Sequence, residues 1–120
     1  MLIISGWPSD AGEYKVLVVD IRGEKQASFG VDVYHSDLLL RALDRARINP
    51  KMQEIRRSKQ TVMIPEAEGD GYKSIAMGHS VVGEKRIDVY GSSSDYGLQI
   101  TSKDLEGLAP PEWEIHTLGE

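Results

Sequence analysis

The sequence predicts an α+β fold, a single domain over residues 1–120 in which an antiparallel or mixed sheet packs against one main helix. Several segments alternate apolar and polar residues with the period of two that is typical of strands, and together they predict about six or seven strands. One segment, residues 37–48, changes to the helical period. No linker, internal repeat or low-complexity tract divides the 120 residues, which are enough for one hydrophobic core.

The predicted strands come mostly in hairpins. Leu2–Ser5 is a candidate edge strand, and the strands within YKVLVVDIRG and QASFGVDVY lie close enough together to predict a hairpin. The centre of the first, Val16 to Val19, is apolar on both faces, which predicts an interior strand covered on both sides. YKSIAMGHSVV and KRIDVYG predict a second hairpin that turns at Gly83 and Glu84. The remaining predicted strands are TVMIP, LQITS and EWEIHTL, and Ser102 is placed to cap one helical turn between the last two.

The main predicted helix, residues 37–48, carries an apolar stripe on one face: Leu38, Leu39, Ala42, Leu43 and Ala46. Ser36 precedes it as a candidate N-cap, and Asp37 lies in the first turn, where a carboxylate complements the helix dipole. This stripe predicts that the helix packs on the sheet.

A short second helix is predicted at residues 51–58. Asn49 and Pro50 fit its N-cap and first helical position, because proline tolerates the start of a helix. Met52 and Ile55 then recur at helical spacing and are predicted to face inward.

Composition limits the classes of function. The chain has no cysteine, which excludes disulfides, thiolate metal sites and a cysteine nucleophile. No stretch approaches the roughly 20 apolar residues of a membrane span, and the start, MLIISGW, lacks the basic region of a signal peptide. We therefore expect a cytoplasmic protein without a membrane partner. The three histidines are scattered, and we expect neither a metal nor a cofactor.

Half of the basic residues lie between Arg41 and Lys59, a segment of net charge +5 in a protein of net charge −5. One interpretation is structural, since the helix dipole favours cations at the C-terminal ends of both predicted helices by about 0.3–1 kcal/mol each. The alternative is a nucleic-acid-binding or regulatory site formed by Arg41, Arg45, Lys51, Arg56 and Arg57. No aromatic residue lies between them, so the base-stacking surface of a single-strand binder is missing and nucleic acid is disfavoured as a partner.

Outside this segment the chain has a net charge of −10, and its acids recur in turns and near the C-terminus, some beside aromatic residues. Aromatic residues with a charged rim are a typical composition of protein interfaces. We therefore predict a small acidic, non-catalytic module that binds another protein. Its most concrete form is an inhibitor or immunity protein that neutralises a cationic partner such as a toxin nuclease. The candidate contact residues are Trp7, Asp10, Glu66, Glu68, Asp70, Asp95, Tyr96, Glu112 and Trp113.

A further alternative is a small enzyme. His79 lies in a predicted strand and is a candidate general base, with a nearby carboxylate such as Asp88 on the neighbouring strand as its partner. A deep pocket around His79 would favour this alternative, and a filled core there would exclude it.

Overall fold

The computed structural model describes residues 1–119, which form one main sheet, one α-helix and a separate β-hairpin. The strands are β1 (Leu2–Ser5), β2 (Gly12–Ile21), β3 (Glu24–Val31), β4 (Met52–Arg57), β5 (Gln60–Pro65), β6 (Glu68–Gly69), β7 (Tyr72–Gly83), β8 (Arg86–Tyr90) and β9 (Glu114–Thr117). The helices are α1 (His35–Arg45) and a 3-10 helix (Ser102–Leu105). This architecture confirms the predicted α+β class.

Seven strands form the main sheet in the order β1-β3-β2-β7-β8-β9, with the two-residue β6 beside β7. The pairs are antiparallel except β8 and β9, which run parallel. Both predicted hairpins are present, as β2 with β3 and β7 with β8. β4 and β5 form a second, two-stranded sheet.

β2 lies at the centre of the core. Its four central residues, Val16–Val19, are fully buried. Successive side chains of a strand point to opposite faces, so this burial requires that both faces are covered. On one face the apolar stripe of α1 packs over the strand, with Leu39 and Leu43 fully buried. The interior strand and the inward stripe are therefore both confirmed.

The opposite face of the sheet is closed by aromatic residues. Trp7, which follows β1, packs edge-on against Phe29 with 5.2 Å between ring centroids. It also packs edge-on against Trp113, which precedes β9, at 5.5 Å. β1 and β9 are the two edges of the sheet, so segments next to both edges meet over this core. Leu105 of the 3-10 helix is fully buried in the same cluster.

The main helix begins two residues earlier than predicted and ends at Arg45 rather than near residue 48. Tyr34, not Ser36, holds the N-cap position, because the backbone N–H of Tyr34 donates to Oδ2 of Asp37 at 2.8 Å. Arg47 adopts a left-handed conformation with φ 59°, which ends the helix early. No helix within residues 1–119 is long and apolar enough to cross a membrane.

The predicted second helix at residues 51–58 is wrong, because this segment is strand β4 of a hairpin with β5. Arg57 pairs with Gln60, and the two residues between them, Ser58 and Lys59, have φ values of 49° and 68°. Two consecutive left-handed residues are the signature of a tight type I′ hairpin turn, which a helix does not allow. Side-chain exposure along β4 accordingly alternates with a period of two.

Two smaller predictions near the C-terminus differ in detail. LQITS contributes an isolated bridge between Gln99 and Ser92 rather than a strand. The predicted helical turn is present, but Thr101 rather than Ser102 caps it, since the N–H of Thr101 donates to Oδ2 of Asp104 at 2.8 Å. The predicted final strand is present as β9.

Leu43→Ala should lower the free energy of unfolding by about 2–5 kcal/mol, because it leaves a cavity between α1 and the sheet. Leu40→Ala on the same helix is the matched control. Leu40 is 44% exposed, so its truncation should cost less than about 1 kcal/mol. Urea titration measures both variants. A Leu43→Ala loss as small as that of the control would contradict the role of the stripe.

Candidate functional site

A cleft opens on the α1 side of the main sheet, beside the first turn of the helix. Its floor is a row of cross-strand neighbours: Gly30 of β3, Lys15 of β2, His79 of β7 and Tyr90 of β8. Directly paired residues point to the same face, so Lys15, His79 and Tyr90 project side by side. The cavity has a volume of about 220 Å³ and is lined by Lys15, Tyr34, His35, Arg57, His79, Ser92, Ser93, Ser94 and Asp95. We call it the His79 cleft.

Two neighbouring rings hold the imidazole of His79. Tyr90 stacks on it with 5.4 Å between ring centroids and an angle of 25° between the planes. His35 meets it edge-on at 5.7 Å. Gly91 passes so close that an added Cβ would lie 2.9 Å from Cδ2 of His79, and its φ of 77° also favours glycine. The position of His79 is therefore set by its surroundings.

His35 is the first residue of α1 and is only 5% exposed. Its Nε2 lies 2.8 Å from the carbonyl oxygen of Gly78. Because a carbonyl only accepts hydrogen bonds, Nε2 carries the proton, and Nδ1 of the neutral ring is an acceptor. Burial lowers the pKa of His35 below its usual value of 6.5. Lys15 and His79 also lower this pKa, while the Gly78 carbonyl and the Asp95 carboxylate act in the opposite direction.

Arg57 brings the β4–β5 hairpin to the His79 cleft. Its Nη2 donates to Oδ2 of Asp95 at 2.6 Å and to Oγ of Ser36 at 3.4 Å. The guanidinium also stacks on Tyr34, with 3.6 Å between Cζ and the ring centroid. Nζ of Lys15 lies 5.3 Å from the same centroid. Within residues 1–119 no carboxylate lies in ion-pair distance of Lys15, so the cleft holds one neutralised pair and one unpaired ammonium group.

The same face of the sheet continues past α1 without a covering layer. The next rows of paired residues consist of Glu13, Val81, Asp88 and His116, followed by Arg86 and Glu114. We call these six residues the open face. Val81, at its centre, is 37% exposed. The guanidinium of Arg86 lies 3.2 Å from Oδ1 of Asp88 and 4.0 Å from Oε2 of Glu114, so its charge is shared by two acids.

The acidic residues predicted from the sequence fall into two separate regions. Asp10 lies just before β2, where its carbonyl accepts a hydrogen bond from Tyr14, a residue of the core on the face opposite to the open face. Glu112 pairs at 3.2 Å with Lys85, which precedes Arg86 of the open face. The turn of Glu66, Glu68 and Asp70 leads instead into the start of β7, at the far end of the long β2–β7 pairing. Ten paired positions of a strand span about 30 Å, so these acids do not form one patch.

The other predicted contact residues are partly used inside the fold. Trp7 and Trp113 touch each other, but they cover the core on the face opposite to the cleft. Asp95 binds Arg57. The hydroxyl of Tyr96 donates to the carbonyl of Pro65 at 2.7 Å, and burial raises the pKa of this phenol.

The predicted basic site is also divided. Arg57 lies in the His79 cleft, whereas Arg56 is exposed and points to the other side of β4. Arg45 lines a cavity beside Trp7, and Arg41 lines a groove beside Leu40. Lys51 is exposed just before β4. These cations do not share one face.

The predicted pair of His79 and Asp88 is not formed. Asp88 is opposite Val81 in the sheet, and its carboxylate accepts hydrogen bonds from Arg86. His79 nevertheless lies in a cleft rather than in a filled core. Across residues 1–119, no group of three or more histidine and carboxylate side chains is arranged to hold a metal ion.

No family model, curated protein or solved structure matches this chain. The assignment of a site therefore depends on geometry alone.

Sequence reasoning missed Glu13, Lys15, Tyr34 and His35 as parts of these surfaces. The alternation of the YKVLVVDIRG strand identifies the side of the sheet on which Lys15 lies, because Lys15 shares its parity with Leu17. The meeting of His35 with His79 depends on how α1 crosses the sheet. Nothing in the local sequence specifies that crossing.

Lowering the pH through about 6.5 should destabilise the protein partly through His35. Its pKa is lower in the folded protein, so below 6.5 the unfolded chain binds more protons and the stability present at higher pH is lost. His35→Gln keeps an N–H donor for Gly78 and should reduce the difference in urea midpoint between about pH 7.5 and about pH 5.5. The exposed His116→Gln is the control and should retain the wild-type difference. An unchanged difference in His35→Gln would contradict the lowered pKa.

Proposed function

We propose that this protein is a non-catalytic module that binds another protein, and that the open face is its contact surface. The partner is cationic. The most concrete form of the proposal is an inhibitor or immunity protein that neutralises a basic partner, such as a toxin nuclease, in the cytoplasm. The nucleic-acid alternative receives less support, because its five candidate cations are dispersed over separate surfaces.

The observation that carries the proposal is an uncovered sheet face rich in acids. A sheet normally buries at least one apolar face and can leave the other in water; here one face is only half covered by α1. The acids of the open face and its margin are Glu13, Glu84, Asp88, Glu112 and Glu114. Both cations among them, Lys85 and Arg86, already contact carboxylates. The excess of negative charge favours the approach of a basic protein.

The open face also has features of an interface centre. Val81 is exposed in the middle of the face, and Asp88 is half-buried beside it. A flat surface with an apolar centre and a charged margin matches the general anatomy of protein contacts. The charges at the margin are expected to act mainly on the association rate.

Two arrangements around His79 support a non-catalytic role. Within residues 1–119 no carboxylate forms an ion pair with His79, because Asp88 is bound by Arg86 and Asp95 by Arg57. The other imidazole, His35, is buried and uses Nε2 to bind the Gly78 carbonyl. General acid–base catalysis requires a positioned and accessible proton-transfer group with a suitable pKa, and no such dyad is assembled between these side chains.

The proposal is tested with two matched variants. Glu13→Gln with Glu114→Gln removes two negative charges from the open face, and Glu68→Gln with Asp70→Asn removes two from the distant turn. After a partner has been isolated from native lysate, association rates are measured from low to moderate salt. The open-face variant should associate several-fold more slowly, because it has lost two charges that attract a cationic partner. Its association rate should also depend less on salt, since salt screens such attraction beyond a Debye length of about 8 Å at physiological ionic strength.

The turn variant is the control and should associate like the wild type. Equal losses in both variants would place the contact elsewhere or show that only net charge matters. An association rate that does not change with salt would contradict the electrostatic part of the proposal. Turnover of a small substrate at the His79 cleft would contradict the non-catalytic part.

A further inference from the structure

We propose that the His79 cleft is a binding site for a small phosphate monoester whose organic part carries hydroxyl groups, such as a phosphorylated polyol or sugar. This site adjoins the contact surface proposed above and shares Glu13 with it, but neither proposal depends on the other. The inference comes from the kinds of polar group that converge in the cleft.

The lining of the cleft favours an anion. Lys15 contributes an ammonium group with three donors, and it forms no ion pair within residues 1–119. Ser92 and Ser94 are exposed at the cleft and add two hydroxyl groups. One carboxylate, that of Asp95, also lines the cavity, but Arg57 neutralises it at 2.6 Å. The uncompensated charge of the cleft is therefore positive.

The donors approach from three separate parts of the fold. Lys15 and His79 stand on the sheet, Arg57 enters from the β4–β5 hairpin, and the serines belong to the loop after β8. A tetrahedral phosphate presents oxygens in several directions and is suited to donors that surround it. A carboxylate has two oxygens in one plane and can be bound by a single bidentate donor such as a guanidinium group. The arrangement therefore favours a phosphate group over a carboxylate.

The donor groups are held in place before any ligand arrives. His79 lies between Tyr90 and His35. The guanidinium of Arg57 stacks on Tyr34 and binds Asp95. Because these contacts restrict the side chains, little additional ordering is needed on binding, and pre-organised groups give higher affinity.

The neighbouring cavity identifies the organic part of the ligand. A second cavity of about 190 Å³ shares Lys15 and His79 with the cleft. Its further lining includes Glu13, Asp32 and the ring of Tyr90. Two carboxylates accept hydrogen bonds from hydroxyl groups, and they disfavour a second phosphate on the ligand. A hydroxylated carbon chain with one phosphate matches this combination.

The experiment titrates the protein with glycerol 3-phosphate and inorganic phosphate while NMR follows the ring C–H signals of His79 and His35. Glycerol and acetate are the comparison ligands. We expect saturable shifts with both phosphates, tighter binding of the ester, and no saturation with glycerol or acetate. Lys15→Gln removes the unpaired positive charge of the cleft, and His79→Ala removes the imidazole donor; binding to the second variant is followed on the His35 signals. Each change should weaken binding about tenfold or more.

The control variant is Lys73→Gln, which removes an exposed lysine near the other end of β7 and should leave affinity unchanged. An equal loss in Lys73→Gln would show that the anion responds only to net charge, and would overturn the site. Saturation by acetate with the same affinity, or no saturation by either phosphate, would overturn the ligand class. Melting temperatures identify a variant that loses its fold; if Lys15→Gln does, His79→Ala and Ser94→Ala decide the outcome.

Discussion

The burial of β2 on both faces is the constraint on which the rest of the structure depends. Four consecutive large apolar residues, Val16–Val19, have no solvent exposure. At about 25 cal/mol per Å² of buried apolar surface, leaving either face in water would cost several kcal/mol, a large part of the net stability of a small domain. Two covering layers are therefore required. One is α1, and the other combines the 3-10 helix with the contact of Trp7 and Trp113.

A single short helix cannot cover a sheet of this length, and this mismatch creates the functional surfaces. β2 has 10 residues and β7 has 12, which span about 33–40 Å, whereas the 11 residues of α1 span about 16 Å. The helix covers the half of β2 around Leu17 and Val19. At its boundary the polar row of Lys15 and His79 forms the floor of the cleft. Beyond the boundary lies the open face, so both surfaces proposed here arise because α1 is shorter than the strands on which it packs.

The parts of the fold that the sequence predicts are those with an unambiguous period. The strands of both hairpins, the final strand and the apolar stripe of α1 are of this kind. Residues 51–58 do not have an unambiguous period. Met52 and Ile55 lie three positions apart, which fits a helix, whereas the side-chain exposure in the structure alternates with a period of two, which fits a strand. The turn at Ser58 and Lys59 lacks the asparagine–glycine pair that usually marks a type I′ hairpin. The site was less predictable than the fold, since Arg57, His35 and His79 meet only through tertiary packing.

The cations between Arg41 and Lys59 are explained by more than one structural role. Arg45 occupies the last turn of α1, where the helix dipole favours it. The predicted second helix is a strand, so a helix dipole does not account for Arg56, Arg57 or Lys59. Arg57 instead acts as a cross-link, because it joins the β4–β5 hairpin to Asp95 and to the ring of Tyr34. The side chains of this pair are 21% and 18% exposed, so solvent screens their attraction only partly. The same cation thus attaches the hairpin and cancels the one carboxylate that would repel an anion from the His79 cleft.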